Sequence, residues 1–274
     1  MIVLQIIDKE MKRKELICAF YERYDEDTRL LKSRQGQLEY TTTMYYIHKF
    51  LPEKAFVLEI GAGTGRYSLA LAKEGYKVCA LELVEQNLEI LRNNSLNENN
   101  IKIFQGDALD LSRFPDNSFE TTLLLGPMYH LYEKEDQLLA LREAVRVTKP
   151  GGVILTSFLS IHAIIQDDYL QGNLIKGINE NFTDNFRTMH FKEQIFTGFY
   201  IDEFEELFID VPVERITTVA TDGILELAEM TTHFSMSDEE FSVFADYHLH
   251  NCERREYLGS SSHLLHICRK LKEI

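Results

Sequence analysis

Residues 55–160 alternate between short apolar runs and amphipathic segments, and this alternation constrains the fold more than any other feature of the chain. The apolar runs, typical of buried strands, are residues 55–61, 76–84, 101–105, 119–125 and 153–158. Segments with helical spacing follow at residues 64–74, 85–96 and 134–149. Strands and helices that alternate at this spacing predict a parallel sheet with right-handed crossovers.

The flanking regions differ from this central part. Residues 1–54 are mostly of helical pattern, and residues 161–200 are polar and aromatic without strand spacing. Residues 213–220 and 263–270 are plausible late strands, with a helix over residues 237–251 between them. We therefore predict three parts, namely an N-terminal helical lid segment (1–54), an α/β domain (55–160 and 201–274) and a cap insertion, the cap segment (161–200).

A glycine-rich loop follows the first apolar run, where Gly61, Gly63 and Gly65 alternate with Ala62 and Thr64. Glycines there let the backbone turn sharply and approach a ligand closely. A nicotinamide-binding loop, G-x-G-x-x-G, would need glycine at position 66, where this chain has Arg66. The alternative is a helix-start turn with spare glycines, but three alternate glycines directly after a strand favour ligand binding.

Two acidic residues end the next two strands. Glu82 closes the second run, and a carboxylate there can accept hydrogen bonds from both hydroxyls of a ribose. Asp107 follows the third run, where it can accept from an exocyclic amine, although a helix N-cap is a competing role. Open α/β sheets bind ligands at the carboxyl ends of their strands, so these groups are expected to share one site.

The chain resembles the class I S-adenosylmethionine-dependent methyltransferases. The matching segments are VLEIGAGTGR (57–66), ALEL (80–83), GDA (106–108), TLLLGPMYHL (122–131) and KPGG (149–152). The resemblance covers roughly residues 20–160 and implies a Rossmann-like α/β fold. Its mostly parallel seven-stranded sheet would have an antiparallel last strand and helices on both faces. The implied cofactor is S-adenosyl-L-methionine.

The resemblance also assigns roles to individual residues. The glycine loop would pack against the methionine part of the cofactor through Gly61, Ala62, Gly63 and Gly65. Glu82 would bind the ribose with Leu83 against adenine, and Asp107 and Ala108 would recognise adenine. Glu59 would order the loop and reach the cofactor amino group through water, while Leu125 lies at the edge facing the sulfonium. Tyr24 and Arg34 of the lid segment are candidates for the cofactor carboxylate, or else simply pack on a charged helix.

The fourth strand ends in Leu125-Gly126-Pro127-Met128-Tyr129-His130, which departs from the D/N-P-P-Y motif of amine-modifying relatives. Gly126 has no side chain to accept from an amine, so base or amide N-methylation by that arrangement is not favoured. Tyr129 is expected to form an aromatic wall, because a ring face attracts a sulfonium. His130 is the candidate general base, and a packed or exposed histidine is the equal alternative.

The formal charge of −15 is unevenly distributed. Residues 1–55 carry a net +1, whereas residues 179–250 hold sixteen acids against three bases. Most of these acids are expected to lie on solvated helix faces, and any that face the pocket would favour a neutral or cationic acceptor. A strongly acidic chain without a basic tract makes nucleic acid an unlikely partner. The sequence makes no prediction of oligomeric state.

The sequence is compatible with three functions, of which one is the leading hypothesis. The leading hypothesis is an SN2 methyl transfer to a small molecule, with mainly positional catalysis. Aromatic residues of the cap segment would close the acceptor pocket. These are Phe182, Phe186, Phe191, Phe196, Phe199 and Tyr200. The alternatives are an RNA or protein methyltransferase, and a non-catalytic module that only binds the cofactor.

The four dispersed cysteines are expected to be reduced thiols of a cytoplasmic protein. His248 and His250 beside Cys252 and Glu253 lack metal-ligand spacing, so no metal site is expected. We expect neither a signal peptide from the short apolar run of residues 1–7 nor a membrane span. Met11 is a second plausible start.

Overall fold

The computed structural model describes residues 13–190 and 195–272. The apolar run of residues 1–7, Met11 and Phe191 lie outside this part of the chain. Two helices precede the sheet, α1 (Arg13–Tyr21) and α2 (Arg34–Phe50), and the chain turns between them. Helix α2 begins where the Ser33 side chain accepts a hydrogen bond from the backbone N–H of Gly36, an N-cap that satisfies a free helix donor. The predicted helical character of this region is confirmed for the residues described.

A single twisted sheet forms the centre of the molecule. Its strands are β1 (Phe56–Ile60), β2 (Lys77–Glu82), β3 (Ile101–Gln105), β4 (Phe119–Leu124), β5 (Thr148–Ser160), β6 (Gly198–Phe199), β7 (Val213–Ala220) and β8 (His263–Lys270). The strand order is β3-β2-β1-β4-β5-β8-β7, with β6 paired to β5 beside this path. Strand β8 runs antiparallel to both of its neighbours, and the pairs formed by β1 to β6 are parallel. The predicted α/β fold with an antiparallel last strand is confirmed.

Helices α3 (Arg66–Lys73), α4 (Glu85–Asn94) and α5 (Lys134–Val147) make the crossovers from β1 to β2, from β2 to β3 and from β4 to β5. Parallel strands covered on both faces are expected to be apolar along their whole length, and β4 is buried at five of its six positions. The core is therefore continuous across the sheet, and it includes Leu58, Leu123 and Leu155 from three adjacent strands. This rigid layer holds the loops at the carboxyl ends of the strands.

Strand β5 is longer than the sequence indicates. The prediction began at Val153 because Pro150-Gly151-Gly152 is a typical break, yet the strand already begins at Thr148. The pairing with β4 shifts between Phe119 and Thr121, so the proline and glycines lie in a bulge. A bulge accommodates a residue that lacks an N–H donor, which explains why the strand is not broken there.

The cap segment contains α6 (Ile161–Ile164), a π-helix (Ile165–Asn173), α7 (Leu174–Asn181) and the two-residue strand β6. The remaining helices are α8 (Ile201–Glu206), α9 (Leu225–Glu229), α10 (Asp238–Asn251) and α11 (Arg255–Leu258). A capping box between Ser237 and Glu240 starts α10 at the predicted position. Within the described residues, none of the helices has the length and apolarity to cross a membrane.

Candidate functional site

A cavity of about 640 Å³ opens at the carboxyl ends of β1 to β4, bordered by the N-terminal helices and the cap segment. Twelve of the fourteen residues singled out from the sequence lie on its wall. They are Tyr24, Glu59, Gly61, Ala62, Gly63, Glu82, Leu83, Asp107, Ala108, Leu125, Tyr129 and His130. The two others, Gly65 and Arg34, are not among its lining residues.

The glycine loop forms the floor of the cavity. Gly61 and Gly63 have φ angles of +77° and +56°, a region that side-chain-bearing residues rarely adopt. A Cβ at Gly61 would lie 2.6 Å from Cδ of Pro127, so only glycine lets the two loops touch. Gly65 has a different function, because a Cβ there would collide with Leu91 of α4. Gly65 therefore allows α3 and α4 to pack closely, and this differs from its predicted contact with the cofactor.

Glu82 lies beside this loop and is almost fully buried. Its two carboxylate oxygens accept from the backbone N–H groups of Gly63, at 2.7 Å, and Val84, at 2.8 Å. Burial nevertheless raises the pKa of Glu82 to about 7. The carboxylate thus ties the end of β2 to the glycine loop and faces the cavity.

Glu59, one strand away, is buried still more deeply. The Ser68 hydroxyl at the start of α3 donates to its carboxylate. Burial raises the pKa of Glu59 to about 8, and the nearby charge of Glu82 adds to this shift. Glu59 therefore connects β1 to α3 at the turn that it was predicted to order.

Asp107 is bound by a residue that the sequence analysis did not single out. Arg13 of α1 donates to its carboxylate at 2.5 Å, while the other oxygen accepts from the backbone N–H of Leu109. The second contact closes a turn, and no helix begins at Asp107, so the alternative of a helix N-cap does not describe this residue. The first contact places the N-terminal helix over the same end of the cavity.

At the end of β4 the chain turns into a short 3₁₀ helix, Pro127–His130. Gly126 makes the turn possible with a φ of +109°, and its N–H donates to the Ser157 hydroxyl at 3.0 Å. Tyr129 is buried on the cavity wall, and burial raises the pKa of its hydroxyl. This environment suits the tyrosine as a neutral aromatic wall.

The environment of His130 does not favour a general base. Its Nδ1 lies 2.7 Å from the carbonyl oxygen of Ile195, so Nδ1–H donates and Nε2 is left to accept from the Tyr21 hydroxyl at 3.2 Å. Burial lowers the pKa of His130 to about 4. A neutral imidazole with both nitrogens engaged is a weak proton acceptor, so the structure favours the packing alternative.

A buried group of charges lines the cavity beyond the glycine loop, and it begins beside Gly63, where Arg29 contacts Glu26. His263, at the start of β8, has its Nδ1 2.7 Å from Asp222 and 3.9 Å from Glu39. Arg29 makes a two-pronged contact with Glu39 at 2.7 and 3.0 Å. Burial opposes the charged imidazole, but Glu39 and Asp222 raise the pKa of His263 to about 9. The histidine is therefore an imidazolium at neutral pH.

Glu39, Asp222 and His263 also lie within metal-binding distance, since one ligand atom from each falls within 4.8 Å of the others. A cation placed there would have to displace the His263 proton and compete with the Arg29 guanidinium for Glu39. The carboxylates already have positive partners, and the arrangement is explained without a metal. The prediction of no metal site stays a prediction.

A carboxyl pair completes this end. Asp167 of the π-helix and Glu226 of α9 line the cavity, and among the described residues each has one buried carboxyl oxygen without a hydrogen-bond partner. Burial raises the pKa of Asp167, and it raises that of Glu226 to about 7. This end of the cavity therefore carries more acidic than basic groups.

Arg34 lies away from the cavity, contrary to the expectation that it reaches a cofactor carboxylate. Its guanidinium donates to the Met236 carbonyl and to Asp238, and it stacks over the ring of Phe241. These contacts fasten α2 to α10. Tyr24 does reach the cavity, where its ring stacks on Phe20 at 5.1 Å between centroids.

Six residues of the site were not predicted from the sequence, namely Arg13, Arg29, Glu39, Ser68, Asp222 and His263. Their partners are distant in the sequence, as with Asp222 and His263, so spacing gives no signal. The sequence predicted that Glu82 and Asp107 lie at the carboxyl ends of neighbouring strands. It did not predict that charged residues of other elements, such as Arg13 of α1, contact them. A single unexplained acid inside an otherwise apolar helix face, such as Glu39 in α2, is the one hint the sequence offers.

Comparison with known proteins agrees with this geometry. Residues 58–156 match a family model described as a methyltransferase domain. A demethylmenaquinone methyltransferase of Bacillus licheniformis is 27% identical over 150 residues, which are 54% of this chain and 62% of that protein. The chain thus spans less than two thirds of the length of this curated relative.

Two solved structures share the fold. A SAM-dependent methyltransferase from Methanosarcina mazei superposes with a TM-score of 0.55 at 19% identity, over 83% of this chain and 98% of that chain. A didemethyltoxoflavin N1-methyltransferase from Burkholderia thailandensis, with bound 1,6-didemethyltoxoflavin and S-adenosylhomocysteine, gives a TM-score of 0.58 at 14% identity, over 95% of this chain and 87% of that chain.

Proposed function

We propose that this chain, whose residues 58–156 match a methyltransferase-domain model, is a class I S-adenosylmethionine-dependent methyltransferase that transfers a methyl group to a small-molecule acceptor. The observation that carries the proposal is the meeting of the glycine loop, Glu82 and Asp107 on one wall of a cavity that continues beyond them. A cofactor alone would not need the second half of this cavity, which is where an acceptor fits.

The residues at the first end suit the cofactor. Gly61 and Gly63 leave the floor free of side chains, and Glu82 offers carboxylate oxygens next to that floor. Asp107 and Ala108 line the same part of the cavity, and the Arg13 guanidinium forms an ion pair with the Asp107 carboxylate. When bound there, S-adenosylmethionine supplies an electrophilic methyl group on a sulfonium.

The second end supports a neutral or cationic acceptor of modest size. Glu39, Asp167 and Glu226 face it, against the cations of Arg29 and His263. The cap segment contributes Tyr169, Ile195 and Phe196 to the wall, which excludes water from the reacting groups. The relative from Bacillus licheniformis is a demethylmenaquinone methyltransferase, and its name supports a small organic acceptor.

The chain's contribution to rate is mainly positional. Tyr129 walls the site, and its raised pKa keeps it from acting as a proton acceptor at neutral pH. His130 is neutral and held by Ile195 and Tyr21, so we assign it a packing role rather than that of a base. Alignment of nucleophile and methyl group is by itself a large source of rate enhancement.

The alternatives make different predictions. An RNA or protein substrate would need an open and basic mouth, whereas this cavity is bordered by the cap segment and rich in carboxyl groups. A non-catalytic module would bind cofactor without turnover. Only the transfer of labelled methyl groups separates that module from an enzyme.

The experiment has two stages. Calorimetry with S-adenosylmethionine and S-adenosylhomocysteine tests cofactor binding, and dissociation constants in the micromolar range are expected. Radiolabelled S-adenosylmethionine is then offered with demethylmenaquinone-like quinols, small amines, RNA and protein. Label in an organic extract supports the proposal, and absence of cofactor binding contradicts it. Label found in RNA or protein favours the polymer alternative.

A further inference from the structure

His263 has features that cofactor binding does not use. It lines the acceptor end of the cavity, and its ring centroid lies 6.1 Å from that of Tyr129, the wall beside the reacting edge. It belongs to β8, far in the sequence from the glycine loop. A histidine at this place contacts whatever molecule occupies the second half of the cavity.

The orientation of the ring is fixed on one side. Nδ1 contacts Asp222, whose carboxylate also accepts from the backbone N–H of Ser262 and from the side chain of Gln35. Asp222 is fully buried behind the ring and does not line the cavity. The opposite edge, which carries Nε2, is therefore the one that faces the cavity. Among residues 13–190 and 195–272, no hydrogen bond to Nε2 is found.

Charged groups approach this ring from several elements. Glu39 belongs to α2, Glu26 and Arg29 to the turn before it, and Asp222 to the loop after β7. Asp167 of the π-helix and Glu226 of α9 act from the other side of the cavity. Two of these carboxylates lie next to Nδ1 and keep the ring in its protonated form.

We propose that His263, held by Asp222, presents its Nε2–H to an oxygen of the acceptor, so that the acceptor is a molecule with a carbonyl or hydroxyl oxygen near its methylated atom. This inference rests on the proposed function. The alternative roles of this ring have less support. A general base needs a free lone pair at Nε2, which an imidazolium lacks. A buried cation without a partner on one edge is costly, and an acceptor oxygen satisfies that edge.

The test uses three naphthalene probes of similar size. 1-Acetylnaphthalene offers an oxygen that only accepts hydrogen bonds, 1-ethylnaphthalene offers none, and 1-(aminomethyl)naphthalene offers a cation. Binding is measured by calorimetry at pH 7.5 on protein saturated with S-adenosylhomocysteine. We expect the acetyl probe to bind about tenfold tighter than the ethyl probe, a ratio that a hydrogen bond to a charged donor supplies.

Two variants identify the donor. His263→Leu removes it, and the acetyl and ethyl probes should then bind equally. His263→Gln keeps an N–H near the position of Nε2, and it should retain a preference of about threefold. His250→Leu and His250→Gln are the matched controls, because His250 is exposed on α10 and does not line the cavity. Thermal unfolding checks that each variant is folded.

Wild-type protein provides a measurement that needs no substitution. The pKa of His263 is about 9, so the Nε2–H is present at pH 7.5 and is lost as the pH rises to 10. The preference for the acetyl probe should therefore disappear over this range. The pKa of Glu226, about 7, lies below this range, and Arg29 stays charged throughout. Burial raises the pKa of Glu26 and of Asp167 as well. The neutral probes do not titrate.

Each outcome has a clear meaning. Equal binding of the acetyl and ethyl probes to wild-type protein, or no binding of either, overturns the proposal. So does a preference confined to the ammonium probe, or an acetyl preference that grows with pH. If S-adenosylhomocysteine itself does not bind, the proposed function fails before the probes are added, so the two failures are distinguishable.

Discussion

Glu82 offers the sharpest test of the cofactor end. Its buried carboxylate contacts the glycine loop directly, through the N–H of Gly63. Glu82→Gln preserves the shape of the side chain but places an amide nitrogen where one of two oxygens now accepts a backbone N–H. The variant loses one loop contact and one acceptor for a ribose hydroxyl.

The size of the effect follows from these contacts. A hydrogen bond to a charged group contributes about 1.5–3 kcal/mol, so losing one acceptor for a ribose hydroxyl should cost about 2 kcal/mol of binding free energy. That corresponds to a loss of affinity for S-adenosylhomocysteine of about 30-fold. Calorimetry at pH 8 measures it, since the wild-type carboxyl is ionised above its pKa of about 7. Glu85→Gln, on the exposed first turn of α4, is the matched control.

The pH dependence supplies a second readout. A carboxyl with a raised pKa must lose its proton before it can accept from two ribose hydroxyls. Wild-type affinity should therefore fall about tenfold for each pH unit below 7, whereas the variant should lose this dependence. A variant that binds within threefold of wild type at pH 8, or that keeps the same slope, would refute the assignment of Glu82.

Three further predictions concern the rest of the site. Gly65→Ala should lower the free energy of unfolding by about 2–4 kcal/mol in urea titrations, because φ is +89° and Leu91 blocks the new methyl group; wild-type stability would show that the loop can shift. His130 should show no titration between pH 5.5 and 8 in NMR spectra assigned by His130→Gln, since burial lowers its pKa to about 4; a midpoint near 6.5 would contradict its packed environment. Cofactor-free protein should lose stability as the pH rises from about 4.5 to 8, because the folded pKa of Glu59 is raised to about 8 and the unfolded chain releases that proton earlier. Glu59→Gln should flatten this curve in urea titrations at several pH values, and an unchanged curve would assign the loss to other groups.

The sheet was predictable because its signal is local. Strands β7 and β8 span the predicted residues 213–220 and 263–270, and both segments are rich in the β-branched and apolar residues that favour strands. Strand β6 was not predictable, because two residues leave no period to detect. The start of β5 was misjudged for another reason. Pro150 ends most strands, and only the pairing register shows that it lies in a bulge.

The candidate site also contains residues that were predictable from local sequence and residues that were not. Gly61, Glu82 and Asp107 are visible from the sequence because each follows its own strand, and the topology brings strand ends together. Arg34 was misjudged, since nothing local indicates that its partner is Asp238, some two hundred positions later. The same distance hides the pairing of Asp222 with His263, which becomes visible only when the loop after β7 is placed beside β8.

The two ends of the cap segment meet at the sheet. Ser160, the last residue of β5, pairs with Phe199 of β6, so the intervening chain leaves the sheet and returns at almost the same point. An excursion with adjoining ends can be lengthened at little entropic cost, since doubling a flexible loop adds only about 0.6 kcal/mol. Evolution could therefore exchange this stretch for another without re-registering any strand. A chimeric protein with a different segment between Ser160 and Gly198 should keep the same sheet and glycine loop, while binding a different acceptor.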